Sequence, residues 1–226
     1  MRRKGGEIGL KSAVIVVDLQ GDFTTFKRGS LAVKGTGRVY LKRVEEATRL
    51  MRTLGLAVYG TQDWHPRDHV SFFTSHEGKR PFEVIEIGGR RQVLWPPHCV
   101  KGTENARIVI DNNLFTAIVK KGQDPLFDSY SAFEDEGGQR TELDELLKYE
   151  EIGRVIVYGL ATDYCVKATA IDGKRYGYEV YVIEDLCKAV DAETERLAKE
   201  EMSKAGVKFV RFSQETIRSL LRSPRS

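Results

Sequence analysis

The 226-residue sequence lacks features that would assign it to several classes of protein. It has only three cysteines, Cys99, Cys165 and Cys187, and their spacing resembles neither a disulfide framework nor a structural zinc site, so we expect a reducing, cytoplasmic location. There is no apolar run near the ~20 residues that cross a bilayer and no signal-peptide pattern, so no membrane association is expected. Charge is nearly balanced, with 36 basic and 33 acidic residues, which argues against nucleic-acid binding.

What the sequence does contain is a repeated alternation of short apolar runs with helical segments. The runs are rich in β-branched residues, as buried parallel strands are, and they cover residues 13–17, 57–61, 116–119, 154–158, 180–183 and 207–212. Helical spacing of apolar residues covers 39–54, 143–148, 164–176, 192–205 and 215–221. This order predicts one α/β domain over residues 1–226, a three-layer α/β/α sandwich around a mainly parallel sheet of about six strands.

The segment from residue 63 to 102 interrupts this alternation and holds all four histidines. It is far longer than an ordinary loop, and long irregular insertions in compact domains are usually functional. In an open parallel sheet, ligands bind at the carboxyl ends of the strands. Polar residues follow the predicted strands at that edge, and these are Asp18, Asp63, His65, Lys121 and Cys165.

Asp18 and Lys121 each come directly after a predicted buried strand. A carboxylate placed there is partly desolvated, which favours a paired or catalytic role. The alternative is a cap of the following turn, a role open to Asp22 as well. Lys121 would ordinarily lie at the surface, but an ammonium between a carboxylate and a cysteine would favour both the carboxylate and a thiolate.

Cys165 follows a predicted strand and a turn of small residues, in the first turn of a predicted helix. The unpaired N–H groups of a helix N-terminus can stabilise a thiolate and hold an oxyanion. The alternative is a small buried hydrophobic residue, the commoner fate of a free cysteine, and we expect that role for Cys187 and Cys99.

Asp63, His65 and His98 form a possible set of metal ligands. Side chains at positions i and i+2 of a strand share a face, which places Asp63 and His65 together, and two prolines stiffen the segment before His98. One carboxylate and two imidazoles suit zinc, iron(II) or manganese with open coordination positions. Scattered histidines are more often surface or core residues, and His69 and His76 are further candidates.

Five motifs in the same order identify a resemblance that runs from about residue 14 to residue 191. They are Asp-Leu-Gln-Gly-Asp-Phe at 18–23, Thr-Gln-Asp-Trp-His-Pro at 61–66, Trp-Pro-Pro-His-Cys-Val at 95–100, Asp-Ser-Tyr-Ser-Ala-Phe at 128–133 and Gly-Leu-Ala-Thr-Asp-Tyr-Cys-Val at 159–166. Together they resemble the pyrazinamidase/nicotinamidase family of isochorismatase-like cysteine hydrolases. The resemblance implies that family's fold and a small-molecule amide substrate.

The resemblance implies that Asp18, Lys121 and Cys165 form a catalytic triad. It also implies a cis peptide bond before Ala161, so that the backbone amides of Ala161 and Cys165 form the oxyanion hole.

The resemblance also implies one divalent metal ion, zinc in the first place and iron or manganese as alternatives. Its ligands would be Asp63, His65 and His98, and His69 would be an extra ligand as in some relatives only. Three aromatic residues match the positions that enclose the substrate ring, namely Phe23, Trp95 and Tyr130.

The implied activity is hydrolysis of nicotinamide to nicotinic acid and ammonia through a thioester, a step of NAD salvage, with pyrazinamide as a second substrate. Homo-oligomers are common in this superfamily. Three alternatives stay open. A sister amidase would act on N-carbamoyl or ureido substrates, and vinyl-ether hydrolysis of the isochorismatase type would not require the cysteine. A non-catalytic metabolite-binding module on the same fold is the third, since fold alone does not fix function.

Overall fold

The protein's structure, a computed structural model, describes residues 10–222. It contains eight strands over those residues, β1 Ser12–Val17, β2 Ala57–Asp63, β3 Val84–Ile87, β4 Arg90–Val93, β5 Ala117–Lys121, β6 Arg154–Gly159, β7 Glu179–Ile183 and β8 Lys208–Val210. The α-helices of the same residues are α1 Arg38–Thr53, α2 Leu143–Tyr149, α3 Lys167–Arg175, α4 Ala192–Lys204 and α5 Gln214–Arg222.

Six strands form one parallel sheet in the order β5-β2-β1-β6-β7-β8. The two central strands, β1 and β6, are buried along their whole length, which is why their sequences are apolar on both faces. The helices that connect the strands pack their apolar sides against the sheet core. The predicted α/β fold and its six-stranded parallel sheet are confirmed.

Helix α1 illustrates how the sequence forms these layers. Its buried residues recur every three or four positions, namely Tyr40, Leu41, Val44, Ala47, Thr48 and Met51. The helix ends just before Gly55, whose φ of +87° is a conformation that glycine adopts without steric cost. None of the helices within residues 10–222 has the length and apolar composition needed to cross a bilayer.

The segment between residues 63 and 102 is less irregular than the sequence analysis expected. Strands β3 and β4 pair as an antiparallel hairpin, joined by Gly88 and Gly89, which both have positive φ. Two isolated bridges, His65 to Val100 and Phe72 to Trp95, bring the start and the end of the segment together. The segment therefore folds back on itself, and its two ends lie next to the sheet.

The carboxyl ends of β1, β2, β5 and β6 meet at one edge of the sheet. Strand β2 extends two residues beyond its predicted end, so that Asp63 pairs with Lys121 across β2 and β5. Val17 pairs with Gly159 at the ends of β1 and β6. This register gathers the polar residues that follow the four strands. The extent of a single domain over residues 1–226 stays a prediction, since both chain ends lie outside the described residues.

Candidate active site

Asp18, Lys121 and Cys165 form a buried cluster at this edge of the sheet. Asp18 directly follows β1, Lys121 is the last residue of β5, and Cys165 lies in a π-helical turn, Thr162–Val166, that begins just after β6. The Lys121 Nζ lies 3.1 Å from Asp18 Oδ2 and 3.6 Å from Cys165 Sγ. The structure thus brings together the three residues that the sequence analysis selected as a triad.

Lys121 is held in place by two further contacts. Its Nζ donates to Asp63 Oδ1 at 2.5 Å and to the backbone carbonyl of Ser129 at 2.7 Å. Burial opposes the charge on this lysine, but Asp18 and Asp63 outweigh burial and hold the pKa of Lys121 well above its usual value. Lys121 is therefore a permanent ammonium within reach of the cysteine sulfur.

Burial decides the protonation of the other two members of the cluster. It raises the pKa of Cys165 well above the usual thiol value, although the Lys121 ammonium opposes this. The ammonium favours the thiolate, as the sequence predicts, but desolvation has the larger effect on the thiol. Burial also raises the pKa of Asp18, again against the effect of Lys121. A neutral thiol in this setting requires a base. Asp18 and Asp63 each have a carboxylate oxygen within 4.8 Å of the sulfur, and of the two only Asp18 has a raised pKa.

The two carboxylate oxygens of Asp18 differ. Thr61 Oγ1 donates to Oδ1 at 2.6 Å. Oδ2 is buried and has no aligned hydrogen-bond partner among residues 10–222, although the Lys121 ammonium lies 3.1 Å away. A buried carboxylate oxygen of this kind is available to accept a proton.

Asp63, His65 and His98 converge beside this cluster, with one ligand atom of each within 4.8 Å of the others. The Nδ1 of His65 lies 2.8 Å from the carbonyl of Gly122, and the Nδ1 of His98 lies 2.8 Å from the carbonyl of Pro96. A carbonyl oxygen can only accept, so both Nδ1 atoms carry a hydrogen, and in the neutral form of each ring the Nε2 offers a lone pair.

The surroundings of His65 test whether this donor set fits a cation. Its Nε2 is buried without a hydrogen-bond partner among the described residues, and it lies 3.5 Å from Asp63 Oδ2. Burial disfavours a charged His65, but Asp63 outweighs burial and raises its pKa. A Cβ on Gly122 would lie 2.3 Å from His65 Cε1, so only glycine lets the ring sit here. The same carboxylate that favours a proton on this nitrogen would favour a divalent cation in its place, with the ring then neutral.

His98 completes the donor set as a neutral imidazole. Burial and the nearby His65 lower the pKa of His98 to about 4. Burial would raise the pKa of the Asp63 carboxyl, but Lys121 and His65 outweigh burial and lower it. Two neutral imidazoles and one carboxylate are the forms in which these side chains bind a metal.

The other two histidines are placed differently. The ring of His69 lies 4.2 Å from that of His65, but its Nδ1 contacts Ser71 Oγ at 2.7 Å and its Nε2 contacts the Phe127 carbonyl at 3.1 Å. Both ring nitrogens of His69 are thus engaged by protein groups. His76 has its Nε2 2.8 Å from the Val70 carbonyl and is also outside the ligand group.

A cavity of about 330 Å³ opens onto both groups, a volume suited to a small ring compound. Its lining includes Cys165, Asp63, His98 and the three aromatic residues selected from the sequence, Phe23, Trp95 and Tyr130. Trp95 Nε1 donates to the Tyr130 hydroxyl at 3.2 Å, which fixes these two walls relative to each other. A second cavity of about 370 Å³ lies behind Tyr130, and neither the cluster nor the ligand group lines it.

The backbone next to Cys165 also faces this cavity. The Leu160–Ala161 peptide bond is cis, as the resemblance implied. Ala161 and Cys165 both line the cavity.

Sequence reasoning missed three residues that hold the site together. Gln20 accepts from the Asp63 N–H and donates to the Asp63 carbonyl, both at 2.8 Å, and so fixes the end of β2. Thr61 holds Asp18, and the carbonyl of Ser129 holds Lys121. All three lie inside the motifs. The polar side chains of Gln20 and Thr61 at buried positions were the available signal, whereas the backbone contact of Ser129 left none in the sequence.

The chain resembles known proteins over most of its length. The isochorismatase domain family matches residues 12–214. The nicotinamidase of Escherichia coli (strain K12) is 42% identical over 202 residues, which cover 86% of this chain and 92% of that protein. Among solved structures, a nicotinamidase and pyrazinamidase of Acinetobacter baumanii has a TM-score of 0.81 and 37% identity, covering 92% of this chain and 98% of its own. A pyrazinamidase of Pyrococcus horikoshii in complex with zinc has a TM-score of 0.74 and 36% identity. The match covers 89% of this chain and 99% of that protein's chain.

Proposed function

The chain belongs to the isochorismatase domain family, and we propose that within it the chain is a nicotinamide amidohydrolase that releases nicotinic acid and ammonia. The observation that carries this proposal is the buried cluster of Asp18, Lys121 and Cys165 at one end of an aromatic cavity, beside a donor set that fits a divalent cation. A flat ring with a carboxamide fits a cavity that offers aromatic walls and a nucleophile. Pyrazinamide, a ring of the same size, is the second expected substrate.

Attack on the amide begins with proton transfer. Asp18 Oδ2 takes the Cys165 proton, and the sulfur forms a bond to the carboxamide carbon. Negative charge moves to the amide oxygen, where the backbone N–H groups of Ala161 and Cys165 stabilise it. The Lys121 ammonium stays charged throughout and stabilises the ionised forms of its two neighbours.

Collapse of this adduct breaks the carbon–nitrogen bond. Protonated Asp18 gives its proton to the leaving nitrogen, and ammonia departs to leave a thioester on Cys165. Water then attacks the thioester carbon while Asp18 takes a proton from the water. When the carbon–sulfur bond breaks, the sulfur recovers that proton from Asp18 and the acid is released. The cluster returns to its starting state after each turnover.

We propose that Asp63, His65 and His98 hold one divalent cation, with zinc as the first candidate and iron or manganese as alternatives. When bound, such a cation supplies a Lewis acid with open coordination positions that can hold the ring nitrogen of the substrate. We leave His69 out of this set, because both of its ring nitrogens contact protein groups. Phe23, Trp95 and Tyr130 are the proposed ring contacts.

We also propose a cellular location, a domain organisation and an oligomeric state for the enzyme. Three buried, unpaired cysteines support a reducing compartment, and we place the enzyme in the cytoplasm. A single domain over residues 1–226 accords with one six-stranded sheet and one hydrophobic core cluster in residues 10–222. Homo-oligomerisation, common in this superfamily, is a further expectation that analytical ultracentrifugation would test.

One assay tests the proposed function. Ammonia release is measured from nicotinamide, pyrazinamide and an N-carbamoyl amino acid, for the metal-loaded enzyme and after treatment with a chelator. We expect fast release from the two ring amides, little from the N-carbamoyl compound, and a loss after chelation that added metal reverses. Preference for the N-carbamoyl compound would overturn the proposal in favour of the sister amidase activity.

A further inference from the structure

Thr61 makes two hydrogen bonds to Asp18. Thr61 lies in β2 and is fully buried. Its Oγ1 accepts a hydrogen bond from the backbone N–H of Asp18 at 3.1 Å and donates one to Asp18 Oδ1 at 2.6 Å. One hydroxyl therefore joins the backbone and the side chain of the carboxylate residue.

The direction of these bonds is fixed by their chemistry. The backbone N–H of Asp18 can only donate, so the Thr61 oxygen accepts there and its single proton points to Oδ1. Oδ1 then has a donor, whereas Oδ2 has no aligned hydrogen bond among the described residues. Oδ2 is thus the oxygen that remains open to a transferred proton.

The backbone of Asp18 needs such support. Its φ of +45° is uncommon for a residue other than glycine, and it turns the chain sharply at the end of β1. The Thr61 hydroxyl holds the N–H of this turn and the side chain that projects from it. Oδ2 is thereby kept on the side of the Lys121 ammonium, which also contacts the Cys165 sulfur.

We propose that Thr61 is a positioning residue of the amidase, which orients the Asp18 carboxylate so that Oδ2 alone exchanges protons with the thiol and the leaving nitrogen. The inference rests on the proposed function, in which Asp18 is the acid–base group. A carboxylate that rotates or shifts by about 1 Å loses up to ~10²-fold in rate, because proton transfer depends on contact distance.

The test compares Thr61→Val, which keeps the shape and removes the hydroxyl, with Thr61→Ser, which keeps the hydroxyl. Ammonia release is measured at varied concentrations of the amide that the wild type hydrolyses best. We expect Thr61→Val to lower kcat about 10- to 100-fold with KM within about 3-fold, and Thr61→Ser to stay within about 3-fold of the wild type. If Thr61→Val does not fold, Thr61→Cys, with its weak S–H donor, replaces it and should lower kcat.

The outcomes separate this inference from the proposed function. Unchanged kcat in Thr61→Val, or an equal loss in Thr61→Ser, would overturn the role of the hydroxyl, because the second result assigns the effect to the methyl group. A wild type that hydrolyses only the N-carbamoyl compound would overturn the proposed substrate and leave the Thr61 comparison valid on that compound. A wild type that hydrolyses no amide would overturn both.

Discussion

The two edges of the central sheet each hold a buried ion pair, and the pairs differ in how their charges are balanced. At the amino edge, Arg154 begins β6 and Glu179 begins β7, with 2.6 Å between Arg154 Nε and Glu179 Oε2. At the carboxyl edge, Lys121 lies between Asp18 and Asp63. The charged groups of both sites are shielded from water. The difference between the two sites therefore lies in the hydrogen-bond and ion-pair partners of those groups.

At the amino edge, both charged groups have several partners. Arg154 also donates to the Leu220 carbonyl, while Glu179 Oε1 accepts from the Tyr181 hydroxyl at 3.2 Å and from Lys208 Nζ at 2.9 Å. A buried pair that is bonded in this way holds elements together, because the loss of one partner leaves a charge without compensation. Its role is structural.

At the carboxyl edge, one ammonium serves two carboxylates. Asp18 Oδ2 and His65 Nε2 are buried without hydrogen-bond partners among residues 10–222, and burial raises the pKa of Asp18 and of Cys165. Groups left in this state can accept a proton or a cation. The amino edge therefore suits a structural role, and the carboxyl edge supports the proposed chemistry.

The largest expected effect belongs to the carboxyl edge. Cys165→Ala should lower kcat for nicotinamide by about 10⁴-fold or more, because it removes the nucleophile, while nicotinamide binding and the free energy of unfolding stay close to those of the wild type. Calorimetric titration and chemical denaturation measure these two quantities. Substantial residual hydrolysis by this variant would contradict the covalent mechanism.

Cys187→Ala is the matched control for that variant. Cys187 is also buried, but its sulfur lies 3.3 Å from the Ile183 carbonyl and does not line the cavity. The control should lose a little stability and retain full kcat.

The next prediction concerns the amino edge, where a substitution should change stability and leave activity almost unchanged. Arg154→Met should reduce the free energy of unfolding by about 3–5 kcal/mol, because it leaves the Glu179 carboxylate buried with less compensation. The kcat of the folded variant should remain within about 3-fold of the wild type. Denaturant unfolding and ammonia release at low temperature give both values, and a lost kcat at unchanged stability would break the comparison.

Removal of a proposed metal ligand should have a smaller effect. His98→Ala should weaken metal binding by about 100-fold and raise KM, because one of three ligands is lost. His76→Ala is the control, since the His76 Nε2 contacts the Val70 carbonyl and His76 lies outside the ligand group. The metal content of both variants is measured by mass spectrometry after dialysis. Full metal content together with normal activity in His98→Ala would exclude His98 as a ligand.

The smallest effect is a shift in the pH profile. Asp18 must be ionised to take the thiol proton, and burial raises its pKa. Activity should therefore be complete above that raised pKa and fall as the pH drops through it, at a higher pH than the ~3.9 of an exposed aspartate. The profile of kcat against pH at saturating metal tests this. Full kcat maintained down to pH ~4 would contradict the raised pKa.

Much of this architecture could be predicted from the sequence, because buried parallel strands are apolar on both faces. The runs at 13–17 and 154–158 are confirmed as the two central strands. The hairpin of β3 and β4 was missed because its strands are mostly polar or exposed, although the turn glycines Gly88 and Gly89 were a usable signal.

The sequence predicted a group of candidate site residues that the structure brings together, but not their charge states. The ends of parallel strands share an edge, which is why Asp18, Lys121 and Cys165 could be grouped before the structure was known. Protonation depends on burial, which depends in turn on how the insertion and the strand ends close over the cluster. For that reason the sequence could not show that burial outweighs the Lys121 ammonium and raises the pKa of Cys165.

In the proposed mechanism, Cys165 carries the acyl group as a thioester between the release of ammonia and the release of the acid. The most direct test measures how this thioester divides between water and a second nucleophile. The enzyme hydrolyses nicotinamide and, separately, methyl nicotinate in the presence of hydroxylamine, and the ratio of nicotinoyl hydroxamate to nicotinic acid is measured for each. A shared thioester on Cys165 predicts the same ratio from both substrates and no hydroxamate with Cys165→Ala. Ratios that differ between the two substrates would contradict the account.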